Sequence, residues 1–476
     1  MNNFYCVYLF TFLCLFDSCT MFPKDSVESY FDRTADSLCI QAYSFLRDNL
    51  TGEQLTLWKN QEELLIHDIT SSVASCRSLL EQEKLPFSVF CEYLLPIQID
   101  KEPIENWREK CSSEFIFFKD SSLVYICDTI NGLLKKDFTF SLKEESYATM
   151  PWSQLRSLQK GDCYHMAKSV LYPLRALGYP CTIDFSPCWG NTTGGHSWNV
   201  VYVDGRMIPF MGRETGLGKS YSPFATYGFK DSTKVAPKRY PAKVYRKKFS
   251  INPYLQRVVG HREPEELPPF LSDLRIQDVT AEYLSVADAT VELSAGTDRN
   301  EPVYLAVYSD GWTITACAEQ EHGKALFKDV KREMLYLPVF YREKKMVPIN
   351  VPFIVDSTGV KHSLTPMETT DICTVTYLFP LLKEISVAVA NKDRLPKDIF
   401  DRLYSGEARK RPVNGAAYSL FYWNANQWQY IGTEIATNNH IIFPEVPQNA
   451  LLYLADKDKK FVGRCFTLNK GEMIWW

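Results

Sequence analysis

An α+β chain is what this sequence predicts: a helical N-terminal region, a mixed helix–sheet domain, then two tandem all-β sandwich-like modules. Three observations carry that expectation. Apolar residues recur at helical spacing over residues 26–146. A helix-start signal at Asp162-Cys163 precedes strand-like alternation from His196 to Val203. Downstream, short alternating strands recur in two blocks of similar spacing. At 476 residues the chain is too long for one hydrophobic core. With 45% hydrophobic and 23% charged residues the composition is that of an ordinary globular protein. A net charge of -4 argues against nucleic acid as a partner.

Residues 1–19 stand apart. Phe4 to Phe16 is almost wholly apolar and the first basic residue is Lys24, so the segment reads as an export signal rather than a membrane span. Leu15-Phe-Asp-Ser-Cys19 resembles a bacterial lipoprotein signal, which makes Cys19 the expected lipidation site. The expected localisation is therefore the bacterial cell envelope, with the membrane contacted through an N-terminal lipid. Of fourteen cysteines, three lie in this segment, and the remaining eleven are an odd number, leaving at least one thiol unpaired within the chain. Cys181 and Cys188 are close enough in sequence to bridge, subject to geometry.

The helical region is expected to span 25–145. Glu53–His67 and Ile69–Glu83 carry helical spacing, Pro96 ends one element, and Trp107–Lys110 and Val124–Leu134 suggest further helices. In the mixed domain, 146–260, Asp162 is a suitable N-cap that places Cys163 at the first helical position. Met166, Val170, Leu174 and Leu177 continue the helix to Gly178, and Pro173 predicts a kink or a break near Ser169. Tyr179–Phe185 and His196–Val203 read as strands, the latter closed by the Asp204-Gly205 turn with Met207–Phe210 pairing back. His261–Pro269, rich in proline and glutamate, reads as a linker. Two modules follow, 270–366 and 371–476. Trp312, Phe327–Val330, Leu335–Leu337, Phe353–Asp356 and Gly359 are matched in spacing by Trp428, Phe443–Val446, Leu452–Leu454, Phe466–Asn469 and Gly471.

Most free cysteines are core residues. Cys163 differs in position: it opens a helix, and His196 follows thirty-three residues later on a strand. Helix-start amides and a nearby imidazole both lower a thiol pKa, so Cys163 is expected to alkylate below about pH 7 and faster than the other thiols. In this scheme Cys163 is the nucleophile and His196 the base. Backbone amides at the helix start, with Gln159, would hold an oxyanion.

Gly161-Asp-Cys163, Leu174-Arg-Ala-Leu-Gly-Tyr-Pro180 and His196-Ser-Trp198 with Asp204-Gly-Arg206 resemble the transglutaminase-like superfamily, a papain-like fold, in the form of bacterial lipoprotein members with C-terminal β modules. The resemblance implies Cys163 as nucleophile and His196 as general base and acid. It also implies an aspartate about fifteen residues after the histidine, in a Trp-x-x-x-Asp pattern. Here that stretch is Met207-Ile-Pro-Phe-Met211, with neither residue present. Asp184, Asn199 and Glu214 are the candidates to orient the imidazole in its place.

The expected function is hydrolysis or acyl transfer on amide bonds of a peptide or glycopeptide substrate, through a thioester at Cys163. The alternative is an inactive relative serving in glycan or peptide recognition, with glycan binding assigned to the C-terminal modules. No cofactor is expected. Cys181, Cys188 and His196 fit no zinc spacing, so no metal is expected either. Gly212 to Ser220 has one residue too many for a phosphate loop. Lys234 to Lys248, with seven basic residues, reads as a solvated strand pair.

Overall fold

The structure is a computed structural model. It describes residues 26–58, 60–118, 121–141, 149–191, 194–210, 216–217, 241–294, 300–309, 311–378 and 411–476. Helices Ser26–Thr34, Ser37–Asp48, Gly52–Trp58, Glu62–Glu81, Phe87–Tyr93, Trp107–Glu114, Leu123–Asp137 and Trp152–Leu158 build the N-terminal region. Two expected boundaries move, the first because Glu53–His67 is divided between Gly52–Trp58 and the helix that starts at Glu62. A single helix, Glu62–Glu81, runs through residue 68, where the spacing had suggested a break. Asp68 is buried and pairs with Arg108 at 2.8 Å, so a polar residue that looked like punctuation is an internal ion-pair partner.

The helix that bears Cys163 spans Cys163–Ala176 and is called the thiol helix below. Pro173 does not break it: the Leu177 amide donates to the Pro173 carbonyl at 3.0 Å, and residues 170–175 are buried and hold the turn in place. The helix packs on a five-stranded antiparallel sheet in the order Arg206–Phe210, His196–Val203, Cys181–Ser186, Tyr245–Lys247, Ile276–Asp278. The expected hairpin at Asp204-Gly205 is present, with Val203 opposite Arg206. Leu65, Val73, Phe90 and Trp107 share one core with Val170, Leu174, Ile183 and Val201. The helical region and the thiol domain are thus packed without a seam.

Lys243, Arg246 and Lys247 correct the reading of the basic stretch as a solvated strand pair. All three are buried and paired: Lys243 with Asp278, Arg246 with Asp184 and Glu282, Lys247 with Asp100 and Asp273. Lys248 pairs with Glu92 at 3.1 Å, and residues 234–240 lie outside the described residues. Lys247 belongs to a buried cluster at the flank of the thiol helix. Lys168 lies 3.1 Å from Asp100 and 3.2 Å from Glu102, Tyr164 donates to Asp100 at 2.9 Å, and Tyr172 to Glu102 at 3.1 Å. Burial raises the Asp100 pKa, but the two ammonium groups outweigh it and bring the carboxyl down to about 2.

Beyond the expected linker, Ile276–Asp278 joins the thiol-domain sheet, and Leu267 and Leu271 are buried. The linker is therefore a docked segment. Among the described residues the two β modules share one strand order, the first adding the short strands Gln320–Glu321 and Lys345–Pro348. In the first, one sheet runs Trp312–Ala318, Val303–Tyr308, Met334–Arg342, Phe353–Val355, Lys361–Ser363, against Lys324–Lys331 paired with Val286–Glu292. In the second, Gln427–Ile435, Ala417–Asn424, Leu452–Asp456, Phe461–Asn469 and Glu472–Trp475 follow the same order, against Ile441–Pro447 paired with Thr370–Val375. The sequence repeat is thus a repeat of strand order. The eleven cysteines among the described residues are all free, and no bridge joins Cys181 to Cys188. No described helix is long and apolar enough to cross a membrane.

Asp100 is the carboxylate shared by two buried ammonium groups, and its loss leaves Lys168 only Glu102 and Lys247 only Asp273. Replacing it with alanine is expected to cost about 3–5 kcal/mol, seen as a lower urea midpoint for the transition reported by the N-terminal tryptophans. Its folded pKa lies below the unfolded value near ~4, so its stabilising contribution is present above that pH. Acid titration should show the contribution disappearing as pH falls from ~4 toward ~2 in wild type, with no such component in the variant.

Candidate active site

Asp162 starts the thiol helix. Its carboxylate accepts from the Tyr164 amide at 2.8 Å and the His165 amide at 3.0 Å, and the Asp162 amide donates back to His165 Nδ1 at 3.3 Å to complete a capping box. The fit is close: a Cβ on Gly161 would fall 2.4 Å from His165 Cγ, so only glycine allows the ring to fold back there. These bonds use the amides of residues 164 and 165. The Cys163 N–H is left beside its own sulfur, where it helps to stabilise a thiolate.

The sulfur lies against the amide and hydroxyl of Ser197, the residue next to His196. The sulfur thus meets this strand at Ser197, on the face that looks toward the thiol helix, whereas His196 is in ring contact with Trp198 on the other face. Strand alternation sorts the side chains further. Asn199 donates from Nδ2 to the Ala167 carbonyl of the thiol helix at 2.9 Å, and Val201 enters the helix-side core. Trp198 and Val200 pack on the other side with Val244 and Val279. The buried His196 ring packs beside two indoles, Trp189 with centroids 6.0 Å and planes 29° apart, and Trp198 at 5.9 Å and 32°. Gly195 is required here because a Cβ would meet the Ser186 carbonyl oxygen at 2.4 Å.

The candidate orienting residues separate. Asp184 lies opposite Trp198 in the sheet but is committed elsewhere. Arg246 holds it in two bonds of 2.9 and 2.8 Å, and the Tyr283 hydroxyl donates to it at 2.6 Å. Burial raises its pKa against the pull of Arg246. Tyr283 also accepts from Trp198 Nε1 at 3.1 Å, so Asp184 reaches the histidine strand through a tyrosine and a tryptophan. Asn199 faces the thiol helix, and its Oδ1 is buried with no hydrogen-bond partner among the described residues. Glu214 lies outside the described residues, as do Met211 and Cys19. Gln159 caps the helix Trp152–Leu158 and lines a small cavity with Trp152, Leu155, Ser169 and Pro173, well along the thiol helix from its start.

The expected low thiol pKa is not met. Burial pushes Cys163 up to about 11, and the Asp162 carboxylate adds to the rise. The Ser197 amide and hydroxyl and the Cys163 amide only partly offset it. The residue that caps the helix thus also works against the thiolate. Trp189, Tyr283 and Arg246 were not identified from sequence. Only the aromatic Cys-Trp-Gly before His196 offered a signal, and it matched no motif. No cluster of metal-ligating side chains occurs among the described residues.

A neutral thiol at physiological pH has a kinetic signature. Iodoacetamide labelling of Cys163, followed by mass spectrometry of individual cysteines, should accelerate roughly tenfold per pH unit above ~8 and level off only near 11. A plateau below pH 8 would show that the thiolate is stabilised more than this burial allows.

Comparison with known proteins adds three findings. A family model described as the transglutaminase-like superfamily matches residues 119–210. No curated protein matches the chain. Among solved structures, a protein provisionally described as a cysteine protease from Cytophaga hutchinsonii aligns at 16% identity over 22% of this chain and 36% of its own, with a TM-score of 0.20. Red sea bream transglutaminase aligns at 11% identity over 74% of this chain and 71% of its own, with a TM-score of 0.22. This chain therefore spans about a third of the first of those structures, and superpositions this loose carry no argument about either protein's activity. Residues 119–210, which hold Cys163 and His196, form a transglutaminase-like domain.

Proposed function

We propose that this protein is a cysteine enzyme acting on amide bonds of peptides or peptide–glycan conjugates. The observation that carries the reading is the start of the thiol helix against Ser197, which sets the Cys163 sulfur beside the strand that begins with His196. With a thiol pKa of about 11, the reaction does not start from a pre-formed ion pair. His196, whose ring packs with Trp198 across the strand from Ser197, turns about the start of the strand to take the thiol proton as sulfur adds to the amide carbonyl. The tetrahedral oxygen is met by the Cys163 and Ser197 amides, in the part first given to Gln159. Imidazolium then protonates the leaving amine, the C–N bond breaks, and a thioester remains. Water, activated by the neutral imidazole, releases the acid; an amine in its place gives transfer.

A second reading has its own support. The raised thiol pKa and the commitment of Asp184 to Arg246 and Tyr283 fit an inactive relative whose β modules recognise glycan or peptide. Export and lipid attachment at Cys19 belong to the proposal as well. Nine of the eleven described cysteines are buried, which would shield free thiols in an oxidising compartment.

A biotinylated p-nitrophenyl ester distinguishes the two readings. Wild type is expected to gain one acyl group on Cys163 that hydroxylamine removes, and Cys163→Ala none. His196→Gln should acylate about 10²–10⁴-fold more slowly. Equal labelling of wild type and Cys163→Ala would leave the inactive reading standing.

A further inference from the structure

Arg464 lies on the strand Phe461–Asn469 of the second β module, far in sequence from the site, and its guanidinium is buried. It donates to four backbone carbonyls on three separate segments. Gly190 accepts at 3.0 Å and Ser309 at 2.7 Å, with Tyr308 and Trp476 completing the set. The guanidinium also sits 5.2 Å from the Tyr308 ring centroid. Gly190 is the link to the site. Its neighbour Trp189 is the indole stacked on His196.

The loop that carries Trp189 is held from several sides. Trp189 donates its amide to Gly194 at 2.9 Å, the Ser186 hydroxyl donates to the Cys188 carbonyl at 2.9 Å, and Trp189 forms a bridge with Pro241. Cys188 packs into the core of the first β module. Arg464 supplies the hold from the second module. A planar fork with five donors suits this junction because it can bind carbonyls in several directions at once, which an ammonium on a flexible stem cannot.

We propose that Arg464 is a positioning residue for His196. Through Gly190 it fixes where the Trp189 indole stands over the imidazole, and this makes the C-terminal module a part of the reaction centre rather than a spacer. The consequence for catalysis rests on the acyl-transfer reading above; the consequence for the ring does not. An indole face packed against imidazole, here with the planes 29° apart, excludes water from one side and favours the protonated ring that must deliver a proton to the leaving amine. Release of the loop loosens that face while leaving Cys163, Ser197 and the thiol helix in place.

The test uses the full chain with 13C-labelled histidine Cε1, the His196 resonance being assigned by its absence in His196→Gln. Stacking under Trp189 moves the His196 Hε1 signal upfield, and Trp189→Leu gives the reference for loss of that shift. Arg464→Met is expected to move the signal downfield toward the Trp189→Leu position. It should also slow acylation of Cys163 by the activated ester at least tenfold, with little change in the ester concentration that half-saturates the reaction. Should Arg464→Met fail to fold, Arg464→Lys takes its place, because one ammonium cannot span four carbonyls on three segments. A wild-type Hε1 position in either folded variant overturns the proposal. A downfield shift in a protein whose wild type never acylates upholds the positioning and defeats the enzymatic reading, so the two failures are distinct.

Discussion

One hydrogen bond registers the whole site: Asn199 Nδ2 to the carbonyl of Ala167 at 2.9 Å. It ties the thiol helix, one turn from its start, to the third residue after His196. Sliding the helix by a turn would break that bond, bury an amide unpaired and separate the Cys163 sulfur from Ser197. The other flank is fixed as firmly. Lys168 meets Asp100 and Glu102, Arg175 donates to the Cys181 carbonyl at 2.9 Å, and Arg108 reaches the Arg175 carbonyl. Buried ion pairs of this kind add little net stability, but they penalise every arrangement that leaves one partner alone. The helix is therefore held in one register by many groups that tolerate only that register.

The same enclosure sets the chemistry. A helix start offers amides to a thiolate, yet here burial and the Asp162 charge outweigh them. On the proposed reading the site resembles a serine-type arrangement in its proton economy, with a protonated nucleophile that would depend on its base during attack. An imidazole packed beside two indoles can serve that purpose if its ring is held steady, and the elements that hold it come from both β modules as well as from the thiol domain. The modules are thereby connected to the chemistry through the loop before His196.

Much of this was legible in the sequence because it is local. Asp162 as N-cap, the Asp204-Gly205 hairpin and the alternation from His196 to Val203 each depend on neighbours a few residues away. The module repeat was legible because the same strand spacing recurs with the same strand order. What could not be read depends on distant partners. Arg246 and Lys247 look solvated until Asp184 and Asp100 close on them, and Asp68 looks like a break until Arg108 arrives. Asp184 looked available to His196, but its lone pairs are taken by Arg246 and by Tyr283, which stands beyond the expected linker. The thiol pKa follows the same rule, since burial is a property of the folded chain.

The central claim is that the Cys163 sulfur and the His196 imidazole open onto one shared space. Treatment with 1,3-dibromoacetone, whose two reactive carbons can bridge a thiol and an imidazole only when both line the same small cleft, tests it directly. Carried out at alkaline pH and read by peptide mass spectrometry, it should yield a covalently joined pair of peptides, one containing Cys163 and the other His196. Single alkylation of Cys163, or a bridge from Cys163 to any other side chain, would contradict the account.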